Sequence, residues 1–401
     1  MSQFSSCENE LIINGISLSQ LKLRAGQTPF YAYDRSVIAE KVATFRSAMP
    51  AVVKLHYAIK ANPMPALVDF IAPLVDGLDV ASGNELNVAL NSSMASAHIS
   101  FAGPGKTIKE ITQAIATQTT LNLESFTEFE RVLEASEKTG ITAKVAVRVN
   151  PDFELKSSGM KMAGGAQQFG IDAEQVPQLL TKIKQAELDY QGLHIFTGSQ
   201  NLNAESIKLA HQNIFELASR LSRESELKIT KLNIGGGLGI PYFSGEKPLL
   251  IDSIGESLAE HITKFEAEFG KSYVAMELGR YLVGEAGIYV AQITDIKQSR
   301  GTTFAVIDGG LHHHLSASGN FGQVIRKNYP VAIGNKMSQP SVGPIQIVGP
   351  LCTPLDIMAN KYQLPNCEVG DLVVIFQSGA YGFTASPRDF LSHPQPIELL
   401  V

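Results

Sequence analysis

A lysine at the end of an apolar, strand-like run is a candidate for covalent chemistry. In a strand over Val53–Lys60, every second side chain points to the same face, so Lys60 shares a face with His56 and Ala58. A lysine amine in a desolvated pocket loses its proton readily and then forms Schiff bases with carbonyl compounds. The other interpretation is a surface lysine whose stem covers apolar neighbours, and this segment alone leaves both open.

Two later segments carry groups that suit an anionic, aromatic cofactor. The triplet Gly235–Gly237 follows a predicted strand, and its backbone N–H groups could approach a phosphate closely, although glycine runs also form simple tight turns. Glu277 ends a predicted strand, Tyr273–Glu277, and Arg280 follows it closely. A carboxylate there could keep the nitrogen of a pyridine ring protonated; the alternative is an ion pair that caps the strand.

Histidines offer two further candidates. His194 could stack on a cofactor ring or be an ordinary buried histidine of the core. The run His312–His314 suggests a metal site. Read as a strand, however, consecutive residues point to opposite faces, so at most two of the three could share an ion. We therefore expect no metal.

Eight short β-rich runs, most of them followed by a segment with helical spacing, could position these residues. Strands that alternate with helices indicate parallel βαβ units, and eight units predict a (β/α)8 TIM barrel with its active site at the carboxyl ends of the strands. The predicted strands are Val52–Ile59, Leu74–Ala81, Ala97–Ala102, Thr119–Leu123, Ala143–Val149, Tyr190–Phe196, Lys231–Ile234 and Tyr273–Glu277.

The pattern changes after the barrel. Strand-like runs separated by glycine and proline predict an all-β domain over residues 279–401, with the barrel over 30–278 and residues 1–29 adding strands to the β domain. The formal net charge is -6, with no basic stripe for nucleic acid or a membrane surface. No signal peptide or membrane span is evident, and three cysteines at unrelated spacings favour a cytoplasmic protein without disulfides.

Together the motifs resemble those of the fold-type III decarboxylases, the group that contains diaminopimelate, ornithine and arginine decarboxylases. The resemblance extends over nearly the whole chain and implies an alanine-racemase-like barrel that binds pyridoxal 5'-phosphate (PLP). The motifs occur in the family's order: Tyr57–Asn62, His194–Gln200, Gly235–Gly237, Glu277–Arg280 and Gly349–Cys352.

The resemblance also implies roles for individual residues. Lys60 would form the Schiff base with PLP, His194 would stack on its ring, and Glu277 would bind the ring nitrogen. Asp79 and Arg148 would support the surroundings of the lysine. The phosphate would lie among the remaining cofactor-binding residues, one of which, Arg280, is also a candidate for the substrate carboxylate: Ser199, Gly235, Gly236, Gly237, Gly279, Arg280 and Tyr381.

Cys352 becomes the proton donor by the same resemblance, reaching the active site of a second subunit. This implies a homodimer with shared sites, acting on a small-molecule or carrier-protein-bound amino acid. The reaction would be decarboxylation of an L-amino acid or amino-acid conjugate through an external aldimine and a quinonoid. The alternatives are a free meso-diaminopimelate decarboxylase, an amino-acid racemase and a non-catalytic PLP-binding regulatory protein. Glu277 argues against a racemase, which would place an arginine at the ring nitrogen.

The segments that would meet the distal end of the substrate depart from the family pattern. Relatives carry an acidic residue directly after the cysteine, whereas this chain has Thr353, with Asp356 as the nearest carboxylate. Arg326 and Tyr329 stand where diaminopimelate enzymes have an Arg-Pro segment with a more distant tyrosine. The chain resembles more closely a subgroup associated with exosortase gene clusters, whose members are similar to decarboxylases of conjugated or carrier-tethered amino acids.

Overall fold

The computed structural model describes residues 3–153, 160–161, 164–225, 227–323 and 325–401. The chain forms two compact units. The barrel unit comprises Lys41–Ile240 and Pro248–Gly279. The β unit comprises Met1–Glu40, Pro241–Lys247 and Arg280–Val401.

Eight parallel strands close the barrel, and the prediction of a TIM barrel is confirmed. Each strand pairs in parallel with its two neighbours, and the fourth and fifth strands pair with each other, so that the ring has no free edge. In chain order the strands, β1 to β8, are Val53–Ala58, Gly77–Val80, Ile99–Phe101, Thr120–Leu123, Lys144–Asn150, Asp189–His194, Lys231–Asn233 and Tyr273–Leu278.

Helices follow most of these strands, and polar caps fix where several of them begin. Ser82 and Ser125 accept hydrogen bonds from the backbone N–H groups of Glu85 and Glu128, and Thr107 forms a capping box with Glu110. The α-helices that lie wholly in the barrel unit are Pro65–Ile71, Gly83–Leu90, Ile108–Ala116, Phe126–Thr139, Val176–Gln185, Ala204–Glu224 and Asp252–Phe269. Short 3-10 helices span Ile59–Ala61, Ala72–Leu74, Ser96–His98 and Ala173–Gln175.

Three short strands lie beside the ring. Met160–Lys161 pairs antiparallel with Gly198–Ser199, and Ile171–Asp172 pairs in parallel with β5. The strand Gly198–Ser199 brings Ser199 out of β6 and toward the carboxyl ends of the barrel strands.

The β unit is built on an eight-stranded, mostly antiparallel sheet, which confirms a mainly β second fold. Its strands are Phe30–Tyr33, Gly287–Ser299, Thr302–Ile307, Val331–Ile333, Gly343–Val348, Ile357–Leu364, Leu372–Ile375 and Ile397–Leu400. The unit also holds the α-helices Leu18–Ala25 and Arg280–Val283 and the 3-10 helices Gly284–Ala286 and Phe390–Ser392. The helix Arg35–Ala48 passes from this unit into the barrel unit.

The N-terminal residues belong to the β unit. Ser5–Cys7, Glu10–Ile13 and Ile16–Ser17 form a small antiparallel sheet, and Leu11 and Leu21 are buried in the same core as strands of the large sheet. The strand Phe30–Tyr33 pairs with Gly287–Ser299 and with the C-terminal strand. The unit therefore extends to Glu40, eleven residues beyond the residue 29 expected from the sequence, because the strand Phe30–Tyr33 belongs to the large sheet.

None of the helices in the described ranges is long and apolar enough to cross a membrane.

Candidate active site

Lys60 lies in the 3-10 turn that follows β1, immediately beyond the carboxyl end of the strand. Its Nζ lies 5.3 Å from the centroid of the Phe196 ring. In the part of the chain that the structure describes, no carboxylate or carbonyl binds this amine. An unpaired lysine amine at the mouth of a barrel is available for covalent chemistry.

A cavity of about 250 Å³ opens beside Lys60. It is a pocket of the barrel unit alone, and polar side chains from five different barrel strands or their ends converge on it. The polar or ionisable residues that line it are Lys60, Asp79, Arg148, His194 and Glu277. The structure thus brings together all five barrel residues that the sequence assigned to the ring of the cofactor or to the surroundings of the lysine.

His194 and Glu277 form a buried pair at the ends of β6 and β8. The Nε2 atom of His194 lies 3.4 Å from Oε1 of Glu277, and Asn233 donates to Oε2 of Glu277 at 3.4 Å. Burial opposes the negative charge, but the His194 imidazole together with Lys60 and Arg148 outweighs it and lowers the pKa of the Glu277 carboxyl. Glu277 is therefore an ionised carboxylate in the cavity wall.

Arg148 and Asp79, which line two other sides of the cavity, are each held by an ion pair with a residue outside it. Nη1 of Arg148 donates to Oε1 of Glu124 at 2.8 Å, and the Phe169 ring lies 4.9 Å from the guanidinium. Asp79 faces His56, whose Nδ1 lies 3.3 Å from Oδ2. Burial opposes a charge on His56, but Asp79 outweighs it and raises the pKa of the imidazole. The sequence analysis assigned no role to Glu124 or His56. The signal for His56 was that it lies on the same face of the strand as Lys60.

The glycine triplet after β7 forms a tight backbone turn. Gly235 and Gly237 have φ values of 69° and 93°, which residues with side chains rarely adopt. A Cβ atom on Gly236 would lie 1.9 Å from the carbonyl oxygen of Glu277, and one on Gly237 would lie 2.5 Å from that of Gly198. The triplet therefore passes close to the ends of β6 and β8, which leaves bare backbone at the carboxyl end of β7.

Gly279 is required for a similar reason at the end of β8. A Cβ atom there would lie 2.7 Å from that of Ala61 and 3.1 Å from the carbonyl oxygen of Ala58. Glycine thus lets the chain leave β8 in contact with the turn that carries Lys60.

Arg280, the next residue, lies among aromatic side chains of the β unit. Nη1 of Arg280 donates to the Tyr242 hydroxyl at 2.7 Å, and its guanidinium lies 4.6 Å from the centroid of the Tyr381 ring. Tyr329 packs on Tyr242 with ring centroids 4.8 Å apart. Arg280, Tyr329 and Tyr381 were predicted from the sequence and lie together. Tyr242 was missed, because it lies in the seven-residue segment Pro241–Lys247, which leaves the barrel sequence to join the β unit.

Cys352 is exposed at the tip of a hairpin loop in the β unit. The loop, Gly349–Asp356, connects the antiparallel strands Gly343–Val348 and Ile357–Leu364. The Thr353 hydroxyl accepts from the N–H of Leu355 at 3.3 Å, and Arg326 donates to the carbonyl of Ile357. Asp356 is buried, and both of its carboxylate oxygens accept backbone N–H groups. Thr353, Asp356 and Arg326 therefore surround the base of the loop.

The run His312–His314 lies in a turn, so the assumption of an extended strand was wrong. A glycine pair precedes the run, and the N–H groups of His313 and His314 both bond the carbonyl of Gly310, which folds the chain back on itself. All three side chains are buried as a result. Within the described residues no group of three or more histidine, cysteine or carboxylate side chains is arranged to hold a metal ion.

The cavity of the barrel unit fits PLP. Among the described residues, Nδ1 of His194 is buried without a hydrogen-bond partner, which suits a wall that a ring with polar edges is meant to cover. The bare backbone of the glycine triplet suits a phosphate. A closed parallel barrel with a lysine, an ionised carboxylate and a glycine turn at the carboxyl ends of its strands defines an enzyme of the PLP-dependent class.

The chain belongs to the pyridoxal-dependent decarboxylases: residues 35–284 match the pyridoxal binding domain of that family. It is 34% identical over 380 residues, 93% of this chain and 89% of the relative, to an L-glutamyl-[BtrI acyl-carrier protein] decarboxylase of Niallia circulans. It is 31% identical over 398 residues, 98% of this chain and 91% of the relative, to a diaminopimelate decarboxylase of Aquifex aeolicus. The diaminopimelate decarboxylase of M. jannaschii, solved with L-lysine, superposes with a TM-score of 0.89 at 26% identity, covering 99% of this chain and 92% of that one.

These relatives set the class of reaction. The chain uses PLP to remove the carboxyl group of an amino acid or an amino-acid conjugate. The racemase and the non-catalytic alternatives are therefore set aside.

Replacing Glu277 by glutamine is expected to lower the free energy of unfolding at pH 7, and the deficit should shrink as the pH falls. The folded-state pKa of Glu277 is depressed below the unfolded value of about 4.3. Its charge therefore stabilises the fold above that pH, and this stability is lost as the pH falls through the folded-state pKa. Urea unfolding of the cofactor-free protein at pH 7 and at pH 3, which approaches the folded-state pKa, measures both values.

Glu85→Gln is the matched control, since burial raises the pKa of the Glu85 carboxyl. Removing that charge should cause no loss of stability at pH 7. A Glu277→Gln deficit that is equally large at both pH values would contradict the assignment of Glu277 as a stabilised carboxylate.

Proposed function

We propose that this enzyme decarboxylates an amino acid whose side chain is conjugated or tethered to a carrier, and that free diaminopimelate is a poor substrate. The observation that carries the proposal is the loop after Cys352. No carboxylate follows Cys352 directly in the sequence. The next one along the chain, Asp356, already accepts two backbone N–H groups. A distal ammonium group would therefore lack a partner there, and an unpaired buried charge costs several kcal/mol.

In the proposed mechanism the barrel residues hold and tune the cofactor. PLP, when bound, supplies an electron sink for the electron pair that remains after the bond to the carboxyl group breaks. Lys60 would attach the cofactor through its amine, His194 would cover one face of the ring, and Glu277 would keep a proton on the ring nitrogen. Asp79 and Arg148 would fix the walls around Lys60 through their pairs with His56 and Glu124.

The phosphate would be held by backbone N–H groups, hydroxyls and the Arg280 guanidinium, and not by an ion pair with Lys60. Residues proposed for this role are Ser199, Gly235, Gly236, Gly237, Gly279, Arg280 and Tyr381. Arg280 has a second possible ligand in the substrate carboxylate. Its hydrogen bond to Tyr242 and its contact with the Tyr381 ring would keep the guanidinium in one orientation for either anion.

Cys352 would donate a proton to the carbon that has lost its carboxyl group, in the active site of a second copy of the chain. Exposed apolar side chains around the loop support such a homodimer. Leu355 is 56% exposed and Ile325 77% exposed. Asn320 donates to the carbonyl of Leu355, which brings Phe321, itself 44% exposed, beside the same loop. An apolar rim around a reactive thiol is suited to burial against another subunit.

Arg326, Tyr329 and Thr353 remain the proposed neighbours of the distal part of the substrate, with Asp356 behind them acting through its hydrogen bonds to the backbone rather than by direct contact. The relative from Niallia circulans, by its name, acts on a glutamyl group linked to an acyl-carrier protein, and this supports a conjugated substrate here. The three cysteines are all free, which supports a cytoplasmic enzyme.

The kinetics of free and conjugated substrates test the proposal. Losing a charge-assisted hydrogen bond should cost on the order of 2 kcal/mol, about thirtyfold in kcat/KM, on free meso-diaminopimelate and ornithine. CO2 release should be faster with γ-glutamyl conjugates or with an amino acid thioesterified to an acyl-carrier protein. A kcat/KM above roughly 10⁴ M⁻¹s⁻¹ on free diaminopimelate, the normal range for an enzyme on its own substrate, would refute the proposal.

Thr353→Glu sharpens this test, because it restores a carboxylate directly after Cys352. It should raise kcat/KM for free diaminopimelate by about tenfold or more, whereas Thr353→Gln, which has the same size without the charge, should not. Equal effects of the two variants would show that charge at this position does not govern the choice of substrate.

A further inference from the structure

Asp356 connects two loops of the β unit through a single carboxylate. Its Oδ1 atom accepts the N–H of Leu311 at 2.7 Å, and its Oδ2 atom accepts the N–H of Leu351 at 3.0 Å. Leu351 precedes Cys352, and Leu311 begins the turn of buried histidines. The side chain is only 3% exposed, so water cannot replace either hydrogen bond.

Two glycines make the space for this carboxylate. A Cβ atom on Gly310 would lie 2.4 Å from Oδ1 of Asp356, and one on Gly349 would lie 2.1 Å from Oδ2. Both distances are shorter than any tolerated contact between such atoms. The glycines on the two loops are thus matched to a carboxylate that lies between them.

The strands that lead into the turn and the loop pair with each other as far as Val306 and Val348, but beyond that point the described residues show few hydrogen bonds between the loop and the turn. Gly349 and Asp356 close the hairpin through a backbone hydrogen bond of 3.1 Å, and the N–H of Thr353 bonds the carbonyl of Leu351 at 2.8 Å. These bonds shape the loop internally, but they do not fix its position relative to the turn of residues 309–314. Among the hydrogen bonds of the described residues, those to Asp356 join the two segments.

We infer that Asp356 is a positioning residue that fixes the loop of Cys352 against the turn of residues 309–314, so that the thiol is presented at one place for proton transfer. The inference rests on the role proposed above for Cys352 and adds a residue to it. Asp356 would act through backbone amides and not through the substrate. This also means that it cannot pair with a distal ammonium group without releasing the loop.

A double-mutant cycle tests the inference. Asp356→Asn keeps one oxygen that can accept a backbone N–H. Its NH2 group, however, then faces the other backbone N–H and cannot accept from it. With Cys352 present it should lower kcat by about tenfold or more, with a much smaller change in KM. In a Cys352→Ala background it should cause little further loss, because the loop then has no thiol to position. Equal losses of kcat in both backgrounds would reduce Asp356 to a general structural role and overturn the inference.

Asp371→Asn is the matched control. Asp371 is 5% exposed and accepts the N–H of Glu368 at 2.7 Å and the side-chain amide of Asn335 at 2.8 Å, in another loop of the same unit. It should lower thermal stability as Asp356→Asn does, yet change kcat by the same factor with and without Cys352. If Asp371→Asn showed the dependence on Cys352 expected of Asp356→Asn, the cycle would report loss of stability, and the inference would be overturned.

Amide hydrogen exchange separates this inference from the role of Cys352. Asp356→Asn should speed exchange at Leu311 and Leu351 by about tenfold or more, and Asp371→Asn should not. If Cys352→Ala alone keeps full activity, the proposed role of Cys352 fails, while the exchange data still decide whether Asp356 fixes the loop. Unchanged exchange at both amides would overturn the inference. Should Asp356→Asn not fold, Gly349→Ala, which displaces the carboxylate from the other side, is measured in the same way.

Discussion

Purified Lys60→Ala protein is expected to be colourless, to yield no adduct on borohydride reduction, and to decarboxylate at least about a thousandfold more slowly, a loss of ~4 kcal/mol of transition-state stabilisation. The amine of Lys60 has no hydrogen-bond partner among the described residues, and it lines the same cavity as His194 and Glu277. Removing it takes away the group that would attach the cofactor while leaving the walls of the cavity in place.

Lys54→Ala is the control for this prediction. Lys54 lies on the same strand, but its Nζ is 3.9 Å from Asp76. That variant should keep its colour and nearly all of its activity. Reduction of the parent protein with borohydride, followed by peptide mapping, locates the cofactor directly; an adduct on any lysine other than Lys60 would show that the assignment is wrong.

The barrel could be predicted from the sequence because each strand is a short apolar run and helical spacing follows most of them. All eight predicted strands are present, with ends shifted by a few residues. The five residues that line the cavity could also be predicted, since the carboxyl ends of parallel strands meet at one end of a closed barrel. Local pattern and topology agree here, and no distant contact is needed to place Lys60 or Glu277.

Contacts between segments that are far apart along the chain could not be predicted from the sequence. Phe30–Tyr33 pairs with strands that lie more than 250 residues further along the chain, and nothing in its own residues indicates those partners. Tyr242 meets Arg280 only because a short segment leaves the barrel sequence for the β unit. Asp356 appeared to be a candidate for substrate binding because it follows Cys352, whereas its two backbone hydrogen bonds depend on a turn that begins 45 residues earlier.

Replacing Cys352 by alanine is expected to slow formation of the amine product by roughly a hundred- to ten-thousand-fold, the usual contribution of a positioned general acid. The thiol is exposed in the loop Gly349–Asp356, in which the apolar side chain of Leu355 is exposed as well. Without it, protonation should occur in part on the cofactor, and hydrolysis would then give an aldehyde by-product together with the amine form of the cofactor. Cys7→Ala, which removes another exposed thiol of the same unit, should change neither rate nor product.

Mixed dimers reveal which subunit supplies the thiol. If each site combines Lys60 of one chain with Cys352 of the other, a dimer of one Lys60→Ala and one Cys352→Ala chain has one intact site and one doubly defective site. Random mixing makes about half of the dimers mixed, so the activity should recover to about a quarter of the parental value per subunit. If both groups came from the same chain, each site of the mixed dimer would lack one of them. Two differently tagged chains, purified together to isolate the mixed dimer, distinguish the two arrangements, and a mixed dimer no more active than its parents would rule out the shared site.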